Sequence, residues 1–219
     1  MPRLQTIDID PVDVDADGIA TAQTPAAGGA QNLTLDGALS SGGSYTSGDG
    51  AGRQISVTAA ANDSARTLTI TGTDSDGNAQ TETMTGAELN TTTTESAKYW
   101  NTVTQVSVDD DTAGNISVGT VDELSSKTIS LNRHASTGAL FHFNVTGTIN
   151  VTVQLGAFSP TGFDTQADMP WMNSNTSALV NATTDQLNSI EVHATAFRLL
   201  VNSYSSGAEV QVYLSQGYK

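Results

Sequence analysis

The chain contains no cysteine among its 219 residues, so it has neither a disulfide framework nor a thiolate to serve as nucleophile or metal ligand. That absence leaves the redox compartment open. Positive charge is scarce. Eight Lys and Arg stand against 23 Asp and Glu, a formal net charge of −15 with an isoelectric point near 4.1. Counterion release from a nucleic-acid backbone needs clustered Lys and Arg, so no nucleic-acid partner is expected. Charged residues of both signs make 14% of the chain and aromatics 5%, while about a quarter is Ser or Thr. The surface must therefore be built from hydroxyls and amides. Long apolar runs are lacking too. The opening Met1-Pro2-Arg3-Leu4-Gln5 has no apolar stretch of signal-peptide length, and no window approaches the roughly 18 apolar residues of a membrane span. Export and a membrane partner are both disfavoured.

What is present is strand patterning. Ile55 and Val57 share one face of Arg53 to Ala59, and Leu68 and Ile70 share one face of Arg66 to Thr71. Thr73-Asp74-Ser75-Asp76-Gly77-Asn78 is turn chemistry, after which Ala79 to Thr85 returns as a strand. Trp100 to Val108 and Asn115 to Val121 continue the pattern across the acidic turn Asp109-Asp110-Asp111. Only Ala87 to Trp100 has room for a short helix, and its run Thr91 to Thr94 opposes a long one. In the second half Phe141, Phe143 and Val145 alternate with polar residues. Ile149, Val151, Val153 and Leu155 alternate with polar residues in the same way, Phe197, Leu199 and Val201 alternate with Arg198 and Leu200, and Val210, Val212 and Leu214 alternate with Gln211, Tyr213 and Ser215. One-sided strands of this kind close by packing as facing sheets. The fold expected is all-β: two β-sandwich or jelly-roll-like domains preceded by an extended N-terminal arm. The arm is 1–30, the first domain 31–122 and the second 123–219, the boundary being drawn at the polar segment Asp122 to Lys127. Phe158 to Thr176 reads as a loop held by Phe163, Pro170 and Trp171.

Chemistry-bearing motifs are weak. Asp13-Val14-Asp15-Ala16-Asp17-Gly18 matches the opening of a calcium loop, but its twelfth position is Thr24 where a bidentate Glu would close the site. Asp13, Asp15 and Asp17 are the candidate metal ligands, weighed against a solvated acidic strand; no cofactor is expected. His134, His142 and His193 show no paired ligand spacing. Gly43-Ser44-Tyr45-Thr46 lacks the second glycine of a nucleophile elbow, and Gly48-Asp49-Gly50-Ala51-Gly52-Arg53 reads as a loop tip, not a phosphate cradle. No catalytic residue is identified. An acid pair able to cut glycosides is not excluded by spacing, although the thin aromatic content disfavours a sugar cleft. Trp171 and Tyr99-Trp100 are the aromatics a binding module would use.

The cysteine-free, Lys-poor, Thr-, Gly- and Asp-rich texture resembles small virion structural proteins of tailed bacteriophages, above all head decoration or cement proteins. The residues that carry the resemblance are Arg53-Gln54-Ile55-Ser56-Val57, Thr67-Leu68-Thr69-Ile70-Thr71-Gly72, and the closing pair Phe197 to Asn202 and Glu209 to Gly217. The resemblance implies a non-enzymatic protein made in the host cytoplasm. It would sit on the capsid exterior of the virion, bind and stabilise the major capsid protein shell, and form a homo-oligomer, a trimer being favoured. The alternative is a tail- or fibre-associated receptor- or carbohydrate-binding or adaptor module.

Residues Ile7, Ile9, Val12 and Val14 alternate with Asp8, Asp10, Asp13 and Asp15, the signature of a strand with one apolar edge. They are the expected partner-binding residues, adding a strand to a neighbouring subunit. Deletion of residues 1 to 20 is then expected to leave a folded protein that no longer decorates particles.

Overall fold

The computed structural model describes residues 3–88, 93–131, 139–156, 169–190 and 194–216. The fold is all-β, built from antiparallel sheets. Among the described residues the one helical turn is a 3-10 turn at Ser177–Leu179. No described helix occupies Ala87 to Trp100; a two-residue strand, Thr94–Glu95, lies there, and residues 89–92 are outside the described set. Two compact units divide the chain. One holds Val14–Ser47 and Gly52–Val121; the other holds Met1–Asp13, Gly48–Ala51 and Asp122–Lys219.

In the first unit, β2 (Ala20–Gln23), β3 (Gln31–Asn32), β4 (Ser40–Ser41), β5 (Ser44–Thr46), β6 (Ala51–Ala59, all but its first residue), β7 (Thr67–Thr73), β8 (Ala79–Thr85), β9 (Thr94–Glu95), β10 (Thr102–Val108) and the start of β11 (Ile116–Ser126) form two layers. One layer runs β4-β5-β10-β7-β8 with β3 also on β10; the other places β2, β11, β6 and β9 side by side. Their inner faces share one core, with Leu68, Ile70, Val103 and Val106 from the first layer and Ile55, Val57, Ile116 and Val118 from the second. The β7–β8 hairpin follows the turn chemistry. Asp74 accepts from the backbone N–H of Asp76 at 2.9 Å and of Asn78 at 2.8 Å, closing the turn with its own side chain.

The second unit is also a sandwich. With β1 (Arg3–Ile9), β12 (Ile129–Ser130), β13 (Ala139–Thr146), β14 (Ile149–Gly156), β15 (Trp171–Asn173), β16 (Gln186–Ile190), β17 (Ala196–Tyr204) and β18 (Glu209–Gln216), one sheet runs β1-β18-β13-β16. The facing strands run β15-β14-β17 and onto the end of β11, with Leu124 opposite Val201. Phe141, Phe143, Val210, Val212 and Leu214 meet Val151, Val153, Phe197, Leu199 and Val201 in the core. Phe141 and Phe197 join the layers edge to face, with ring centroids 5.0 Å apart.

The two units part between Val121 and Asp122, at the head of the polar segment from Asp122 to Lys127 where the boundary was expected. β11 runs on to Ser126, with Leu124, Ser125 and Ser126 fully buried and the Ser126 hydroxyl accepting from the Leu199 N–H at 2.9 Å. Hydroxyls paired to backbone groups can be buried, so a polar segment can enter a core. One local expectation gives way: Gly48 to Arg53 is no loop tip. It leads into β6, with Asp49 and Ala51 buried. Trp171, expected to pin a loop, lies in β15, whereas residues 157–168, with Phe163, are outside the described set.

Candidate functional site

Ile7 and Ile9 lie in β1, which pairs along its whole length with β18, from Arg3 opposite Gln216 to Ile9 opposite Val210. Both side chains enter the core of the second unit, Ile9 with no exposed surface. The strand that was expected to seek a partner finds it within the chain. The row is broken after Ile9. Pro11 has no N–H and a fixed φ, so β1 ends at Ile9 and the alternation is reset. Val12 and Val14 consequently point outward, 42% and 49% exposed. Only these two of the four expected contact residues remain at the surface. The N-terminal 30 residues are thus no extended arm.

The segment after β1 is held at named atoms. In the second unit the Val12 N–H donates to Asp49 Oδ1 at 2.6 Å, the Tyr204 hydroxyl donates to the Val12 carbonyl at 2.6 Å, and the Ser206 hydroxyl donates to Asp13 at 2.9 Å. In the first unit Asp15 lies against β11: its N–H donates to the Thr120 hydroxyl at 3.2 Å and its carbonyl accepts from the Thr120 N–H at 2.9 Å. Gly119 permits this approach, since a Cβ there would stand 2.2 Å from the Asp15 carbonyl oxygen. The Asp17 N–H donates back to Asp15 Oδ1. The hydrogen bond to Asp15, then the Asp15 charge, raise the Asp17 carboxyl above its usual range. This turn is thus anchored by its own backbone. Among the described residues no group of three His, Cys, Asp or Glu side chains could share a metal ion, and Asp13, Asp15 and Asp17 are no such group.

The acidic turn at 109–111 has a similar use. Gly28 and Gly29 donate their N–H groups to Asp111 Oδ1 and Asp110 Oδ1 at 2.7 and 3.0 Å, Gln31 donates to Asp111, and Thr67 donates to Asp109. The Thr112 N–H reaches the Pro25 carbonyl at 3.0 Å. The small-residue stretch from Thr24 to Ala30 is therefore fastened down by carboxylates that sequence alone assigned to an independent turn. Hydrogen bonds from Asp111 and Gly29, followed by the Arg66 charge, lower the Asp110 carboxyl below its usual range.

A surface that the strand patterns signalled but the sequence reading missed lies on the outer side of the β1-β18-β13-β16 sheet. One cross-strand row is Leu4, Ser215, Leu140 and Ser189; the next is Thr6, Tyr213, His142 and Leu187; a third is Asp8, Gln211 and Asn144. Leu4 is 67% exposed, Leu140 41% and Leu187 66%. Their parity was the available signal: Leu140 adjoins inward Phe141, and Leu4 is out of phase with Ile7, so both must face outward. Tyr213 and His142 stack across the strands at 5.8 Å. In these three rows the sole charged side chain is Asp8.

Neither tryptophan offers an open platform. Trp100 is fully buried in the first core, and the Arg198 guanidinium lies 4.6 Å above the Trp171 ring. Arg198 is itself held by Gln154 at 2.8 Å. His134 and His193 lie outside the described residues.

No protein-family model matches this chain, and no curated protein matches it. Among solved structures, the major capsid protein P2 from bacteriophage PM2 aligns with 98% of both chains at 11% identity and a TM-score of 0.23. At that score the likeness carries no argument about fold or function.

Proposed function

We propose that this chain is a non-enzymatic structural protein of a tailed-phage virion, a decoration or cement protein that binds the outside of the major capsid protein shell as a homo-oligomer. The observation that carries the reading is the outer face of the β1-β18-β13-β16 sheet. On a chain of net charge −15, this face presents three exposed leucines and a Tyr-His pair with one acid among three rows. An apolar, nearly neutral patch on a strongly acidic protein suits docking to another protein surface. The sequence resemblance supplies the shell as that surface. Attachment then rests on Leu4, Leu140 and Leu187, in place of Ile7 and Ile9.

Cryo-electron microscopy of particles from the source of this gene, with and without the gene, tests the reading. Density for β-rich units on the shell exterior, lost in a folded L4D/L140D/L187D variant, supports it. A chain absent from particles, or full occupancy by that variant, overturns it.

A further inference from the structure

We propose that His142 makes docking through the outer face of the β1-β18-β13-β16 sheet pH-dependent: the neutral imidazole docks, and its protonation releases the chain. The inference rests on the docking reading above and adds the regulation of that same face.

His142 cannot stay outside such a contact. It is exposed in the middle of the face, with Leu187 directly opposite on β16 and Leu140 two residues away on β13. Opposite Cβ atoms of an antiparallel pair stand about 5 Å apart, and alternate residues of one strand about 7 Å. A surface that covers both leucines therefore covers the imidazole as well. Histidine is the side chain whose charge ordinarily changes between about pH 5 and 8, and a charge taken out of water without a partner is strongly disfavoured.

Among the described residues no carboxylate of the face is placed against it. Tyr213 lies opposite on β18, ring centroids 5.8 Å apart, its hydroxyl donating to Gln211 at 3.1 Å. That stacking exists in the free and the docked chain alike, so it gives the imidazolium no advantage on docking. The row on the Leu140 side carries no charge. On the other side Asp8 lies two strands from β13, its backbone about 12 Å from that of His142 by strand spacing, beyond the screening length of about 8 Å in physiological salt. Asp185, just before β16, is nearer, but its Oδ1 accepts from the Val145 N–H at 2.8 Å. Glu209 pairs with Thr146, at the far end of β13. Charge complementarity with a chain of net charge −15 favours a partner surface that is neutral or basic, so the partner adds no carboxylate there.

The full-length protein, pelleted over a range of concentrations with particles that lack it, reads the effect at about pH 7.5 and 5.5 in about 0.15 M salt. The apparent Kd is expected to rise roughly tenfold at the lower pH, since one excluded proton gives up to tenfold per pH unit. In His142→Asn and His142→Gln, with the β circular dichroism signature retained, the ratio of the two Kd values is expected to stay within about twofold, whatever the affinity at pH 7.5. An equal ratio in parent and variants, or tighter docking by the parent at pH 5.5, would overturn the proposal and leave docking itself standing. No pelleting at pH 7.5, or pelleting that the L4D/L140D/L187D variant retains in full, overturns the docking reading and the proposal with it.

Discussion

The Tyr204 hydroxyl donates a 2.6 Å hydrogen bond to the Val12 carbonyl, joining positions 192 apart in the chain. It fastens the segment that leaves β1 to the end of β17, while Asp49 accepts from the N–H of the same residue. Tyr204→Phe keeps the ring and removes the donor. The expected loss is about 1 kcal/mol in urea unfolding, with faster amide exchange confined to β1 and the residues after it.

Ile9 and Val14 looked equivalent as members of one apolar row, and the fold separates them. Ile9→Ala should destabilise the second unit by roughly 2 to 5 kcal/mol because it opens a cavity in a closed core. Val14→Ala should stay within about 0.5 kcal/mol. The pair is read out by denaturant titration. Deletion of residues 1 to 20 is now expected to aggregate, because it removes β1 and bares the edge of β18; a soluble, cooperatively folding truncation would show that β1 is dispensable.

Acid should weaken the first unit through Asp110 and Asp36. Both carboxyls are lowered from 3.8, Asp110 by the Asp111 and Gly29 N–H groups and Arg66, Asp36 by the hydroxyl and N–H of Thr21. Their stabilisation is present above the unfolded value and is lost as pH falls through the folded ones. Asp110→Asn should therefore lower the melting temperature at pH 7 and converge on the parent in acid. Asp17 carries the opposite sign. Its raised carboxyl favours the native state below 3.8 and loses that contribution as pH rises through the folded value, so Asp17→Asn should raise the neutral-pH melting temperature slightly.

Gly72 stands where β7 passes the irregular register between Val103 and Gln105 of β10. A Cβ there would lie 1.9 Å from the Thr102 carbonyl oxygen, and that oxygen belongs to backbone that cannot rotate away. Gly72→Ala is expected to cost roughly 2 to 4 kcal/mol, measured by chemical denaturation of the first unit.

Much of the architecture was legible in the alternations. Phe141 and Phe143, Val151 and Val153, Phe197 and Leu199, and Val210 and Val212 all turned inward, because a strand's side chains have period two and one face must leave water. The turn at Asp74 was legible for a similarly local reason, since its side chain bonds backbone groups two and four residues on.

What the local pattern determined was which residues share a face; what it could not determine was where that face would go. The pattern at Ile7 and Ile9 specified an apolar edge, but whether β18 or another molecule would cover it depends on a pairing with residues some two hundred positions away. Ser126 belongs to a segment legible only as polar, and the Leu199 N–H, brought beside it by tertiary pairing, makes its buried hydroxyl favourable. The acids at Asp110 and Asp111 resembled an isolated turn until the fold delivered Gly28 and Gly29 to them. Burial of apolar area follows from side-chain chemistry and short-range geometry, which the sequence carries. The choice of partner for each edge and each polar group is a competition among distant segments, and the tertiary structure alone decides it.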